Sequence, residues 1–110
     1  MTDLSQPVRT FDLTLSSETV ETECFGVVTG SDIGADGIER IATHLREAGQ
    51  TDDREMARRL LCESATGPNG ERFTLEGLAQ MPARAFRDRI RLLTAAMRVN
   101  GLSQVDVEKA

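Results

Sequence analysis

The strongest constraint on this fold is a regular series of helix breaks in the second half of the chain. Gly49 supplies a helix stop, and Asp52 with Glu55 three residues later forms a capping-box pattern that starts the next helix. That helix has to end by Gly67-Pro68, because proline cannot donate the helical hydrogen bond. Apolar residues at helical spacing lie between the breaks. The pattern predicts several short helices joined at fixed positions.

The same kind of signal continues towards the C-terminus. Thr74 is an N-cap candidate for "LEGLAQ", Pro82 suits the first turn of a long helix, and Asn100-Gly101 closes that helix. Ser103 stands where it can cap a last short helix. The long helix has a predicted apolar stripe formed by Ala83, Phe86, Ile90, Leu93 and Met97.

The N-terminal part has the pattern of β-strands. "VRTFDLTL" alternates, with Phe11, Leu13 and Leu15 on one face, which predicts a half-buried strand. "SSET" is a plausible turn, and "VETECFGVV" is a second extended run. We therefore predict an α+β fold, mainly helical, with an N-terminal β-hairpin in residues 8–29 and a bundle of four or five short helices in residues 31–110. Residues 1–7 are expected to be a flexible tail, and residues 8–110 a single domain.

Groups able to do chemistry are sparse in this sequence. His44 is the single histidine, and Cys24 and Cys62 lack a CxxC spacing, so both cysteines are expected to be buried free thiols. "GSDIGADG" is glycine-rich but lacks the lysine of a phosphate-binding loop. No carboxylate–His, Cys–His or Ser–His constellation is present in the sequence. We expect a protein that is not an enzyme and has no metal or cofactor.

The charge distribution carries information about partners. The net charge of −5 argues against a general nucleic-acid binder. No apolar run approaches the ~20 residues that span a bilayer, and the N-terminus does not have the pattern of a signal peptide, so we expect a cytoplasmic protein. Residues 1–53 hold eleven acids and three arginines, whereas residues 54–110 hold ten bases and seven acids.

This asymmetry has two interpretations. Copies of the chain could associate head to tail, with Glu18, Glu21 and Glu23 as the acidic contact, which gives rings or spirals. Alternatively, the two halves of one chain fold against each other and neutralise internally. On charge alone, internal neutralisation is slightly favoured.

The order of the C-terminal motifs resembles a known family. The pieces "GPNGERF", "TLEGLAQMP", "VNGL" and "VDVEKA" follow one another as in the tail assembly chaperones of long-tailed bacteriophages. The resemblance covers roughly residues 55–110. The turn of the family has the pattern D-x-D-G, and its first acid is missing in this chain, where Gly67 and Pro68 stand. It implies a non-enzymatic protein of the host cytoplasm that binds the tape measure protein and recruits tail tube subunits.

The resemblance suggests where partners would bind. An apolar cleft at the corner between the helices would be lined by Leu75, Leu78, Met81, Phe86 and Ile90. A basic face would present Arg84, Arg87 and Arg91. The simpler interpretation is that the apolar residues are ordinary core and the arginines a solvated face.

Two other functions stay open. The chain could be a small acidic phage inhibitor of a host nuclease or defence protein, mimicking DNA with Glu18, Glu21, Glu23, Asp32 and Asp36. It could also be a structural phage adaptor that stays in the particle.

Overall fold

The chain folds as the predicted α+β arrangement, mainly helical, with a small antiparallel sheet before most of the helices. The computed structural model describes residues 9–50 and 52–102. Along these residues the elements are β1 (Ser17–Thr22), β2 (Gly26–Ser31), α1 (Gly34–Glu47), α2 (Asp53–Ser64), β3 (Ala65–Thr66), α3 (Leu75–Ala79) and α4 (Phe86–Val99). A 3-10 turn, Ala83–Ala85, leads directly into α4. The predicted tail, residues 1–7, and the helix predicted after Ser103 lie outside the described residues.

The β-hairpin lies further along the chain than predicted. Residues 9–15 form no strand, and the predicted turn "SSET" is the start of β1. The turn occupies residues 23–25, inside the run predicted as the second strand. Gly26 follows it with a φ of 73°, a conformation that glycine adopts without steric cost. The Thr22 hydroxyl fixes this turn, because it donates to the Gly26 carbonyl and accepts from the Phe25 N–H.

A third strand closes one side of the sheet and was not predicted. The last turn of α2 ends at Ser64, and the next two residues pair antiparallel with β2, Ala65 opposite Gly30 and Thr66 opposite Thr29. The strand order is β1-β2-β3. The Ser64 hydroxyl holds this junction, since it accepts from the Ser31 N–H and donates to the Ser31 carbonyl.

The predicted N-caps Asp52 and Thr74 are confirmed, but the capping box is not formed, because the Glu55 carboxylate pairs with Arg58. The Asp52 carboxylate accepts from the Arg54 N–H, and the Thr74 hydroxyl accepts from the Gly77 N–H. At the end of α4, Gly101 has a φ of 70° and the Leu102 N–H donates to the Met97 carbonyl at 2.8 Å. This is the Schellman arrangement, which satisfies the last carbonyl groups of a helix.

Two apolar clusters form the core, and α2 and α4 contribute to both. The first cluster includes Ile41, Leu45 and Leu60, and the second includes Val28, Leu61 and Leu92. Adjacent leucines of α2 therefore belong to different clusters. This arrangement joins the sheet and the helices into one packed unit.

The buried face of α4 differs from the predicted stripe. The buried residues of α4 are Asp88, Leu92, Ala95, Ala96 and Met97. Phe86 and Ile90, which the stripe included, are exposed. The prediction placed the largest apolar residues inside, but small residues at the contact let α4 approach the sheet closely. A Cβ atom added at Gly30 would lie 3.8 Å from the Ala96 nitrogen.

Candidate functional site

One face of α4 combines exposed apolar and basic side chains. We call it the α4 face and define it as Phe86 and Ile90 with the flanking arginines 84, 87 and 91. Phe86 is 60% exposed and Ile90 is 47% exposed. The two lie one helical turn apart and therefore side by side on the surface. An exposed phenylalanine next to an exposed isoleucine leaves apolar area in contact with water. The α4 face thus combines an apolar patch with positive charge.

A buried carboxylate sets the orientation of the α4 face. Asp88 is 5% exposed, and its Oδ2 accepts from the Cys24 N–H at 2.9 Å. This hydrogen bond, the largest of several effects, holds the pKa of the Asp88 carboxyl below its ordinary value. The turn of the hairpin is thereby fastened to the first turn of α4. With Asp88 directed at the sheet, residues 86, 87 and 90 are turned towards solvent.

The predicted basic residues all lie on the surface. Arg84, Arg87 and Arg91 are exposed. Arg91 has a distant ionic contact, with Nη1 3.9 Å from Asp88 Oδ1. Among the residues that the structure describes, Arg84 and Arg87 form no ion pair. Their positive charge is therefore open to a partner.

The five residues predicted to line one apolar cleft occupy three different environments. Leu78 is fully buried in the second cluster, and Met81 packs against that cluster. Leu75 lines a groove beside α1 and α2. Phe86 and Ile90 belong to the α4 face. The single cleft at the helix corner is therefore not formed, and Phe86 and Ile90 are the two candidates with large exposed apolar area.

The groove beside Leu75 was missed by the sequence analysis. It has a volume of about 290 Å³ and lies between α1, α2 and the start of α3. Its lining residues are Arg40, Ile41, His44, Arg59, Cys62, Glu63, Thr74 and Leu75. Arg40 Nη2 and Glu63 Oε1 form an ion pair at 2.7 Å across it. The Arg59 Nε is buried without a hydrogen-bond partner among the described residues.

Neither cysteine has the environment of a nucleophile. Burial, as the main cause, raises the pKa of the Cys62 thiol, and the pKa of the Cys24 thiol is also raised, first by desolvation and then by Asp88. A raised pKa keeps a thiol protonated at neutral pH. Both cysteines are free, as expected, but Cys24 is exposed and Cys62 half-buried rather than both being buried.

The acidic residues singled out in the sequence do not form one cluster. Glu18 is held by an ion pair with Arg98 of α4, so part of the charge asymmetry is neutralised within the chain. This contact, as the main cause, lowers the pKa of the Glu18 carboxyl. Glu21 points to the opposite face of the sheet, because side chains alternate along β1. Glu23 lies in the hairpin turn, whereas Asp32 and Asp36 follow the far end of β2, about 20 Å away.

Neither a metal-holding group nor a membrane-spanning helix is found in the described part of the chain. Over residues 9–50 and 52–102, no group of three or more histidine, cysteine or acidic side chains is placed to hold a metal ion. None of the helices described is long and apolar enough to cross a bilayer. Comparison with protein-family models, with curated proteins and with solved structures finds nothing that matches the chain.

Proposed function

We propose that this chain is a non-enzymatic assembly chaperone of the bacteriophage tail type, acting in the host cytoplasm. In this role it binds the tape measure protein and recruits tail tube subunits. The observation that carries the proposal is the α4 face, where Phe86 and Ile90 are exposed beside Arg84 and Arg87. The phage assignment rests on the order of the C-terminal motifs in the sequence.

The α4 face has the chemistry needed to hold an amphipathic helix. Exposed apolar residues one turn apart match the spacing of anchor residues on a second helix. The arginines at positions 84, 87 and 91 favour acidic residues along the edges of that helix. A long helical tape measure protein offers many such segments. Many weak contacts along one client then give avidity without strong single contacts.

Head-to-tail self-association stays a prediction, and fewer acidic side chains are available for it than the sequence suggested. Glu18 is already paired with Arg98 inside the chain, so the acidic side of such a contact would rest on Glu21 and Glu23. The same internal pair removes one carboxylate from the DNA-mimic surface of the nuclease-inhibitor alternative. The adaptor alternative needs the same α4 face and differs only in whether the chain leaves the finished particle.

The test is a binding titration of the chain with overlapping peptides from the tape measure protein of the same genome. Fluorescence anisotropy of labelled 25-residue peptides, a length chosen to hold several helical turns, would report binding. We expect one or more acidic, amphipathic peptides to bind. The double variant Phe86→Glu/Ile90→Glu should weaken that binding by at least about tenfold, since it removes both apolar anchors and adds repulsion.

The matched control is Thr94→Glu, one helical turn beyond Ile90. Thr94 is exposed on the same side of α4, so the control adds negative charge without removing an apolar contact. It should bind within about threefold of the wild type. Equal loss of peptide binding in both variants would mean that the added negative charge weakens binding and that the apolar contacts do not contribute. Full retention of binding by the double variant would contradict the α4 face as the client site.

A further inference from the structure

The segment that carries the strongest strand pattern in the sequence has no partner in the described fold. Residues 9–15, which we call the arm, contain no helix, strand, turn or bend. Phe11 is 88% exposed, Leu13 is 81% exposed and Leu15 is 63% exposed. Three large apolar side chains at every second position are typical of a strand with one covered face. The arm therefore has the sequence of a paired strand and the exposure of an unpaired one.

A matching edge is present on β1, the strand that directly follows the arm. The Asp32 N–H donates to the Ser16 carbonyl at 3.0 Å, so even-numbered residues of this strand face β2. Because antiparallel partners alternate, Ser17, Thr19 and Glu21 direct their backbone groups to the other edge. Within the described residues, these groups have no backbone hydrogen bond at that edge. An open edge of this kind accepts a further strand.

The arm and this edge of the same chain cannot pair. The arm continues into β1 through Ser16, so folding back would require a turn there. Such a turn would break the Ser16–Asp32 hydrogen bond and the pairing of Ser17 with Ser31. A second copy meets no such obstacle.

We infer that two copies of this chain form a two-fold dimer in which the arm of each pairs antiparallel with β1 of the other. Phe11, Leu13 and Leu15 then lie opposite Glu21, Thr19 and Ser17 of the second copy, on the face of the sheet away from α4. The dimer therefore pairs the backbone of the arm and brings these side chains against the neighbouring strand, without covering them by a helix. The two-fold axis passes between the two Ser16 residues, and the two three-stranded sheets become one sheet of six strands. The contact is isologous and closed, since each copy gives the same arm and the same edge.

The local hydrogen bonds of the arm fit this register. The Asp12 carboxylate accepts from the Thr14 N–H at 3.1 Å and from the Thr14 hydroxyl at 2.7 Å. These bonds, the hydroxyl first, lower the pKa of the Asp12 carboxyl. In a strand, the N–H of residue 14 points to the edge opposite that of residues 13 and 15. The Asp12 carboxylate therefore binds on the edge of the arm that faces away from the second copy. The backbone groups of Leu13 and Leu15, on the other edge, stay free for the dimer.

Charge complementarity supports the same arrangement. In this register Asp12 lies opposite Val20 of the second copy, on the face of the sheet covered by α4. Val20 packs against the second apolar cluster, which contains Leu92 of α4. Arg91 directly precedes Leu92 in the sequence. α4 runs antiparallel to β1, because Arg98 pairs with Glu18 and Asp88 binds Cys24. Arg91 lies between these two contacts along α4 and its side chain is 55% exposed. In the inferred dimer we expect it to pair with the Asp12 carboxylate of the second copy.

A disulfide trap tests the register. In a Cys24→Ser/Cys62→Ala background, Ser16→Cys places two cysteines directly opposite each other, with Cα atoms about 4.5 Å apart. Mild oxidation should link most of the protein into covalent dimers. Thr14→Cys is the matched control, because the two introduced cysteines would lie four residues apart along the strands, about 13 Å, and should not link. Equal linking of both variants, or none of Ser16→Cys, would overturn the register.

Sedimentation velocity over a concentration series tests the dimer itself. We expect reversible dimerisation, with a Kd raised at least about tenfold by Leu13→Pro, which removes an N–H that the dimer uses in its strand pairing. Thr14→Pro should change the Kd much less, because its N–H points away from the second copy. Neither substitution touches the packed core, so both variants should fold. A protein that stays monomeric up to about 1 mM, a weak limit for association, or a dimer indifferent to Leu13→Pro, would overturn the inference.

The dimer uses the arm and the edge of β1 and shares only Arg91 with the α4 face, so the Phe86→Glu/Ile90→Glu variant leaves the dimer contacts unchanged. Peptide binding can therefore fail while the dimer forms, and the reverse outcome is equally distinguishable.

Discussion

Single polar side chains hold the elements of this protein in place. The Ser64 hydroxyl joins α2 to β2, and the Asn100 side chain joins the end of α4 to the start of α1. Asn100 Oδ1 accepts from the Ile33 N–H at 2.8 Å, while its Nδ2 donates to the carbonyls of Ser31 and Ala96. Buried backbone groups need such partners, because an unsatisfied donor or acceptor is costly.

Ser64→Ala should lower the free energy of unfolding by about 1–3 kcal/mol, because it leaves the Ser31 N–H and carbonyl without this partner in a buried setting. Urea denaturation followed by circular dichroism would measure the change. Thr94→Ala is the control, since the Thr94 hydroxyl is exposed and bonds only the Ile90 carbonyl of its own helix. It should stay within about 0.5 kcal/mol of the wild type. Equal effects of the two changes would contradict the structural role of Ser64.

The lowered pKa of the Asp88 carboxyl predicts that the stability of the fold depends on pH. Its folded-state pKa lies below its ordinary value, so the ionised form stabilises the fold above the unfolded pKa of about 3.9. This contribution is lost as the pH falls through the folded-state pKa. Asp88→Asn should therefore melt below the wild type at pH 7, and the difference in Tm should shrink below about pH 4. Thermal melts across this range would measure it, and a constant difference would contradict the assignment.

Among the secondary structure elements, α4 shows how far sequence periodicity leads. The sequence analysis predicted a long helix that ends at Asn100-Gly101, and the structure confirms the helix and its end. Of its predicted apolar stripe, Met97 is buried and Leu93 packs against the first cluster, whereas Ala83, Phe86 and Ile90 are exposed. Hydrophobicity ranks large side chains as interior, but a helix that crosses a sheet closely needs small residues such as Ala95 and Ala96 at the contact. Sequence alone did not reveal which neighbour α4 packs against.

A pair of substitutions along α4 tests this assignment. Leu92→Ala should cost about 2–5 kcal/mol of stability, because Leu92 is 3% exposed in the second cluster. Phe86→Ala should change stability by less than about 1 kcal/mol despite removing a larger side chain, since Phe86 is mostly in water. Chemical denaturation of both variants would measure the contrast. A greater loss for Phe86→Ala would contradict the orientation of α4.

At the scale of the whole molecule, the two apolar clusters are expected to unfold as one cooperative unit. Leu60 belongs to the first cluster and Leu61 to the second, and both lie on α2. A helix that supplies both clusters cannot unfold without exposing each of them. The chain is thus expected to follow two-state behaviour, as small single domains usually do.

Calorimetry tests this cooperativity. We expect one heat-absorption peak, with equal calorimetric and van't Hoff enthalpies. Leu60→Ala and Leu61→Ala should each lower the Tm of that same peak, by an amount that corresponds to about 2–5 kcal/mol. A second peak that only one of the substitutions moves would contradict a single unit. All samples should be compared at one protein concentration, because the inferred dimer makes the Tm concentration-dependent.

The sequence by itself determined the local structure of this protein. Gly49, Asp52, Thr74 and Gly101 act within a few residues of their own positions, and local rules of capping and φ freedom are sufficient to place them. The helices, their breaks and the α+β class follow from these signals. The alternation in residues 8–15 predicted a half-buried strand, and this was wrong for the described residues 9–15, which form no strand and are exposed.

Tertiary structure decided which strand pairs with which and which face of each helix is buried. The hairpin formed between β1 and β2 instead of using the arm, because Thr22 and Gly26 stabilise a turn at residues 23–25. β3 exists only because the end of α2 passes beside β2, and Glu18 is neutralised only because Arg98 lies above it. The contacts of β3 and of Arg98 join residues that are distant in the sequence, and periodicity within one segment contains no information about its partner.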